Sequence, residues 1–235
     1  MNKAGAIKKS AIVLVSGGMD SALTAAIASI KYNLYFLHVN YGQRTQAREL
    51  KAFYDIANYY KAKKCLVVNL NYLREIGGSS LTDKKIKIEK ADLSNKSVPV
   101  SYVPFRNANI LSVAVSWAET TGINKIYIGA VEEDSSGYPD CRKKFFNEFE
   151  KMANSGTKPG TKIRIETPII DLSKKDIVLK SVKLKSPLHL TWSCYKSSSK
   201  ACGECDSCAL RLRGFQRAGI DDPLIYKKII NYKLT

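Results

Sequence analysis

The chain has 235 residues, 45% of them hydrophobic and 25% charged, which is enough apolar material for one α/β core with a small appendage. No apolar run approaches the ~20 residues of a membrane span, and residues 1–10 hold no signal-peptide core, so a cytoplasmic protein with no membrane contact is expected. The excess of 38 Lys and Arg over 21 Asp and Glu, formally +17, attracts phosphates, but it is spread along the chain without the signature of an RNA-binding module, and direct tRNA binding is not expected.

In chain order, Ala11 to Val15 reads as a buried strand and Ala22 to Ala28 as a small-residue helix, joined by Ser16-Gly17-Gly18-Met19-Asp20-Ser21. A strand over 33–39, a helix over 45–61 and a strand over 65–70 follow. Periodicity is lost over 77–103, a loop long enough to be a lid or insertion near a site. Pattern resumes with a helix over 107–121 capped by Asn107, a strand over 125–130, a helix over 140–154 opened by Pro139, a strand over 163–166 and a helix over 173–183. The last helix starts near Asp206. Strands alternating with helices predict a doubly wound, Rossmann-like parallel sheet. A soft boundary near Leu184 separates a nucleotide-binding α/β domain (1–184) from a C-terminal segment (185–235). In such a sheet the loops after Val15, Val39, Leu70, Ala130 and Glu166 share one rim, where ligands bind.

Several of those loops carry chemistry. A glycine turn into a helix start offers free backbone amides and a positive dipole end to an anion; Ser16 and Ser21 add hydroxyls, and Asp20 is placed to hold Mg²⁺ against the same phosphates. In Tyr41-Gly42-Gln43-Arg44, Arg44 either meets a phosphate or carboxylate or points to solvent. Arg106, at a predicted helix start, either neutralises charge developing on pyrophosphate or pairs with an acid. The stretch from Glu132 to Arg142 mixes acids with Tyr138, which suits a guanine-like base or a plain acidic surface loop. Cys141 has no histidine near it in sequence and reads as a packed thiol. Cys194, Cys202, Cys205 and Cys208 form C-x7-C-x2-C-x2-C, the donor set of a closed structural zinc site, with an iron-sulfur cluster as competitor.

The SGGMDS string resembles the PP-loop of ATP pyrophosphatases, which cleave ATP between the α and β phosphates, and it lacks the lysine of kinase-type loops. Together with YGQR, VPFRN, EEDSSGYPDCR and TWSCY…ACGECDSCALRLRGF, in order from Val13 to Phe215, the chain resembles the 7-cyano-7-deazaguanine synthase (QueC) family. That resemblance implies an adenine nucleotide alpha hydrolase-like fold and an ATP-dependent carbon-nitrogen ligase. It would convert 7-carboxy-7-deazaguanine and ammonia to 7-cyano-7-deazaguanine (preQ0), a queuosine and archaeosine precursor, through an adenylated carboxylate and an adenylated amide. The residues Val15, Ser16, Gly17, Gly18, Met19, Asp20, Ser21, Ala22, Leu23, Thr24 and Ala25 would enclose ATP, with Arg44 beside them. Asp20 would hold Mg²⁺ and Arg106 would assist the departing pyrophosphate. Asp134, Tyr138 and Asp140 would contact the deazaguanine, and the four cysteines would hold one structural Zn²⁺ per chain. A homodimer is implied as well. The alternatives are a PP-loop enzyme acting on tRNA, such as a thiolase, and a non-catalytic zinc-bearing RNA-binding module.

Overall fold

The computed structural model describes residues 9–95, 97–132 and 137–233. Five strands, β1 (Ser10–Leu14), β2 (Asn33–Asn40), β3 (Lys64–Asn69), β4 (Lys125–Ile128) and β5 (Arg164–Glu166), form one parallel sheet in the order β3-β2-β1-β4-β5. The chain winds outward from β1 to β3, then crosses back to lay β4 on the other side of β1. That reversal opens a crevice at the carboxyl ends of β1 and β4, where open α/β sheets take their ligands.

Helices cover both faces. Ala11, Val13 and Val15 of the first strand segment and Leu34 and Phe36 of β2 face α1 (Met19–Ser29) and α2 (Gln46–Tyr59) through Ala22, Ala25, Phe53 and Ile56. Ile12, Leu14, Ile126 and Ile128 face the other way, onto α4 (Arg106–Thr121) and α5 (Lys143–Ser155) through Leu111, Ala114, Phe146 and Phe149. This alternation is the period of a strand buried on both sides. A third cluster seats Leu23 of α1 against Ile177 and Val178 of α6 (Lys174–Lys183) and Phe215 of α7 (Asp206–Ala218). The alanine-rich sequence lets α1 lie close to its neighbours: a Cβ at Gly129, just after β4, would stand 2.9 Å from the Asp20 carbonyl.

The sequence missed the short helix α3 (Tyr72–Ile76), whose five residues are too few to show a period. The stretch after it is no open lid: Ser79, Ser80, Leu81 and Thr82 are buried, and Ser80 N–H bonds the Val100 carbonyl at 2.8 Å. The helix expected from Asp140 instead begins at Lys143. Pro139–Cys141 is a single tight turn and Arg142 is extended (ψ 145°), which breaks the run.

Candidate active site and metal centre

A cavity of about 260 Å³ occupies the crevice. The Ser16–Ser21 turn forms its floor. Val15, Ser16, Gly18, Met19, Asp20 and Ser21 line it, whereas Ala22, Leu23, Thr24 and Ala25 are packed behind in the core and Gly17 lies beneath the loop. No side chain caps the start of α1, so its first amides face the cavity without an internal acceptor. The Ser16 hydroxyl lies 3.3 Å from Ser21 Oγ, and the Ser21 hydroxyl donates to the Gly18 carbonyl at 2.9 Å. Beside the loop, buried His38 donates from Nδ1 to the Val15 carbonyl at 2.8 Å, and burial lowers its pKa below 6.5.

Lys174 is the residue that sequence reasoning missed. Its Nζ stands 2.7 Å from Asp20 Oδ2, both side chains line the cavity, and Asp20 Oδ1 is buried with no hydrogen-bond partner. Lys174-Lys175 reads as solvated charge along the chain. The signal was present, however: Lys174, Ile177, Val178 and Ser181 are the buried residues of α6, spaced i, i+3, i+4 and i+7, which puts this lysine on the core-facing stripe.

Arg106 enters from the opposite wall. Phe105, in the left-handed conformation (φ 56°), starts α4 and delivers it there. Its Nη1 donates to Tyr41 Oη at 3.3 Å, and the guanidinium carbon lies 5.4 Å from the Tyr41 ring centre and 5.7 Å from that of Tyr138, within cation–π range. Burial pushes the Tyr41 hydroxyl up to about 12, so it remains a neutral hydrogen-bonding group. Tyr138, also on the cavity wall, donates to Ser101 Oγ at 3.0 Å.

Three expected contacts fare differently. Asp140 is 2% exposed and is not on the cavity wall; its Oδ2 accepts the Asn107 N–H at 2.9 Å, so it serves as the acceptor at the start of α4 that Asn107 was expected to supply. Burial raises its pKa. Arg44 is absent from the wall too. Its Nε donates to Ser80 O at 2.8 Å and its Nη2 to Asp83 O and Ile86 O at 2.9 and 2.6 Å, so it ties down the 79–88 stretch. Asp134 lies outside the described residues. Cys141 does reach the cavity, but burial pushes its thiol up to about 11, a poor nucleophile.

The C-terminal segment closes the remaining wall with Trp192, Ser193, Tyr195, Ser207, Leu210 and Arg211. Cys194, Cys202, Cys205 and Cys208 bring all four Sγ atoms within 4.8 Å of one another, Cys202 and Cys208 at 3.9 Å. A tetrahedral ion bound at ~2.3 Å requires edges of ~3.8 Å, so the donor set fits one zinc. Main-chain amides of Lys196 and Cys202 point at Cys194 Sγ at 3.3 Å, and those of Glu204 and Cys205 at Cys202 Sγ at 3.4 Å, the contacts that stabilise thiolates. Behind the cluster, Arg211, 1% exposed, donates to both carboxylate oxygens of Asp222 at 2.7 and 2.8 Å and to Thr191 Oγ1 at 2.6 Å.

Comparison with known proteins gives this geometry a family. A 7-cyano-7-deazaguanine synthase from Chloroherpeton thalassium is 58% identical over 218 residues, 92% of this chain and 96% of that protein. One from Chlorobium phaeobacteroides is 57% identical over 94% of this chain and 99% of its own length. An NH3-dependent NAD synthetase structure from Campylobacter jejuni is similar only at a TM-score of 0.46 and 16% identity, over 79% of this chain and 68% of that one, too distant to bear on function. The family model described as queuosine biosynthesis protein QueC matches residues 10–219, which takes in the loop, the arginine wall and all four cysteines, and the chain belongs to the QueC family.

Proposed function

We propose that this chain is an ATP-dependent ligase that makes 7-cyano-7-deazaguanine from 7-carboxy-7-deazaguanine and ammonia. The observation that carries it is the pairing, across one cavity, of an uncapped glycine turn with two cations, buried Lys174 and half-buried Arg106, and, among the described residues, no activated nucleophile. The names of the relatives supply the product.

In this reading the first-turn amides of α1 and the hydroxyls of Ser16 and Ser21 receive the phosphates. Asp20 would hold Mg²⁺, which would shield the phosphate charge, and Lys174 and Arg106 take up charge as pyrophosphate leaves. The substrate carboxylate attacks the α-phosphorus and expels pyrophosphate; ammonia then adds to the acyl carbon and AMP departs with one oxygen. The amide oxygen attacks a second ATP, and loss of the N–H protons as the second C–O bond breaks leaves the nitrile. Each oxygen is a poor leaving group until it becomes part of AMP, so one activating site used twice suffices without a covalent enzyme intermediate. Tyr138 and Tyr41, flanking Arg106, offer faces for the base.

Residues 1–184 as the nucleotide-binding unit, 185–235 as the zinc segment packed on it, one zinc per chain, a homodimer and a cytoplasmic location belong to the same proposal. No helix among the described residues is long and apolar enough to cross a membrane. The test is mass spectrometry after incubating zinc-loaded protein with 7-carboxy-7-deazaguanine, ATP, Mg²⁺ and ammonium. A nitrile with two AMP per turnover, absent with Asp20→Ala, is expected; folded protein that turns over no base overturns the proposal.

A further inference from the structure

The cysteine cluster and the glycine loop are distant in sequence, yet one main-chain hydrogen bond joins them. Trp192 N–H donates to the Gly17 carbonyl at 2.8 Å. Gly17 has φ +94° and is followed by a second glycine, so the intervening peptide has little steric resistance to turning over. In a trans peptide the C=O of one residue and the N–H of the next point in opposite directions. Whatever holds the Gly17 carbonyl therefore aims the Gly18 N–H, here 3.3 Å from Ser16 Oγ on the cavity side.

Trp192 is in turn fixed from its C-terminal side. Its indole Nε1 donates to the carbonyl of Cys194 at 3.1 Å, and Cys194 is fully buried in the thiol cluster. Arg211 bonds Thr191 and Ser193, the residues on either side of Trp192, at 2.6 and 3.3 Å. The Arg48 guanidinium covers the indole at 4.5 Å. The stretch 191–195 has no helix or strand of its own, so these anchors decide where its amides point.

We infer that the cysteine cluster is a positioning element for the phosphate loop: metal held through Cys194 keeps Trp192 N–H on the Gly17 carbonyl, and so keeps the Gly18 amide aimed at the anion site. The metal then does more than staple the C-terminus, because nucleotide affinity follows metal occupancy. This rests on the reading of the 16–21 turn as the nucleotide site, and the experiment separates the two.

Full-length protein is prepared zinc-loaded and after chelation, and amide hydrogen exchange is followed residue by residue alongside binding of α,β-methylene-ATP with Mg²⁺. On chelation, the Trp192 amide and those of residues 17–21 lose protection while the amides of β1 and β2 keep theirs, and binding weakens about tenfold, the scale of one well-made hydrogen bond. Returning one equivalent of zinc restores both. Should the zinc-loaded protein bind no nucleotide while its Trp192 amide still responds to metal, the nucleotide reading fails and the coupling stands. An unchanged Trp192 amide, or equal affinity with and without zinc in folded protein, overturns the coupling. If complete removal unfolds the sheet, Cys202→Ser, at the least buried ligand, gives a graded series: affinity that tracks zinc content supports the inference, and affinity independent of it refutes it.

Discussion

Replacing Lys174 with methionine tests the pair at the centre of the cavity. The lysine side chain is 8% exposed and that of Asp20 28%, so the pair stands between a surface bridge and a fully buried one. Between the ~0–1 kcal/mol of exposed pairs and the ~3–5 kcal/mol lost when a buried pair is broken, a loss of about 2 kcal/mol is reasonable. For a chain of this size that lowers the melting temperature by roughly 4 to 8 °C. Methionine keeps the apolar stem against α1 and α7, so the loss reports the charge rather than a cavity. The variant also acquires a property. With Oδ1 already unpartnered and Oδ2 released, Asp20 becomes a better site for a divalent cation in the absence of nucleotide. Magnesium at tenfold over its dissociation constant then restores about 1.4 kcal/mol, whereas it leaves the wild type unchanged. Thermal melts with and without Mg²⁺ measure both effects. A variant that melts with the wild type, or one that gains nothing from Mg²⁺, refutes the reading of Lys174 as the charge that holds the Asp20 carboxylate in the nucleotide-free protein.

Gly17→Ala forces a Cβ to within 2.7 Å of the Glu49 carbonyl at a positive φ; a loss of about 2–4 kcal/mol is expected in urea unfolding, with nucleotide binding lost even where the protein is folded. Asp140→Ala removes the acceptor for Asn107 N–H and should cost about 1 kcal/mol, while Asp140→Asn keeps an acceptor and should retain turnover; a large activity loss in the folded asparagine variant would restore Asp140 as a base contact. For His38 the folded pKa lies below 6.5 because of burial, so below that pH the unfolded chain takes up a proton the folded one does not. Its contribution to stability is complete above pH 6.5 and is lost as pH falls toward the folded pKa, with a slope of at most ~1.4 kcal/mol per pH unit. Urea titrations from pH 8 to 5 should show that slope in the wild type and its absence in His38→Asn.

What the sequence determined by itself was local: where a motif's spacing and its chemistry coincide within a few residues. Ser16 to Ser21 could be read as an anion turn because two glycines between a strand and a helix leave the amides bare. The four cysteines could be read as a metal site because C-x7-C-x2-C-x2-C spacing lets four thiolates close on one ion. Alternation of strands and helices sufficed for a parallel sheet, whose rim then collected the loops after β1, β2 and β4 into one cavity. Only the tertiary structure decided which charges meet. Asp20 and Lys174 are 154 residues apart and come together because α6 packs on α1. Arg44 and Arg106 each stand where a loop enters a helix, yet one is consumed by three carbonyls of the 79–88 stretch and the other opens onto the cavity between two tyrosines. Asp140 reads along the chain as a substrate acid, and the fold gives its Oδ2 a backbone amide 33 residues earlier at the start of α4. A buried charge takes its role from the partner that offsets its desolvation, and that partner is set by how elements pack, which no local pattern encodes.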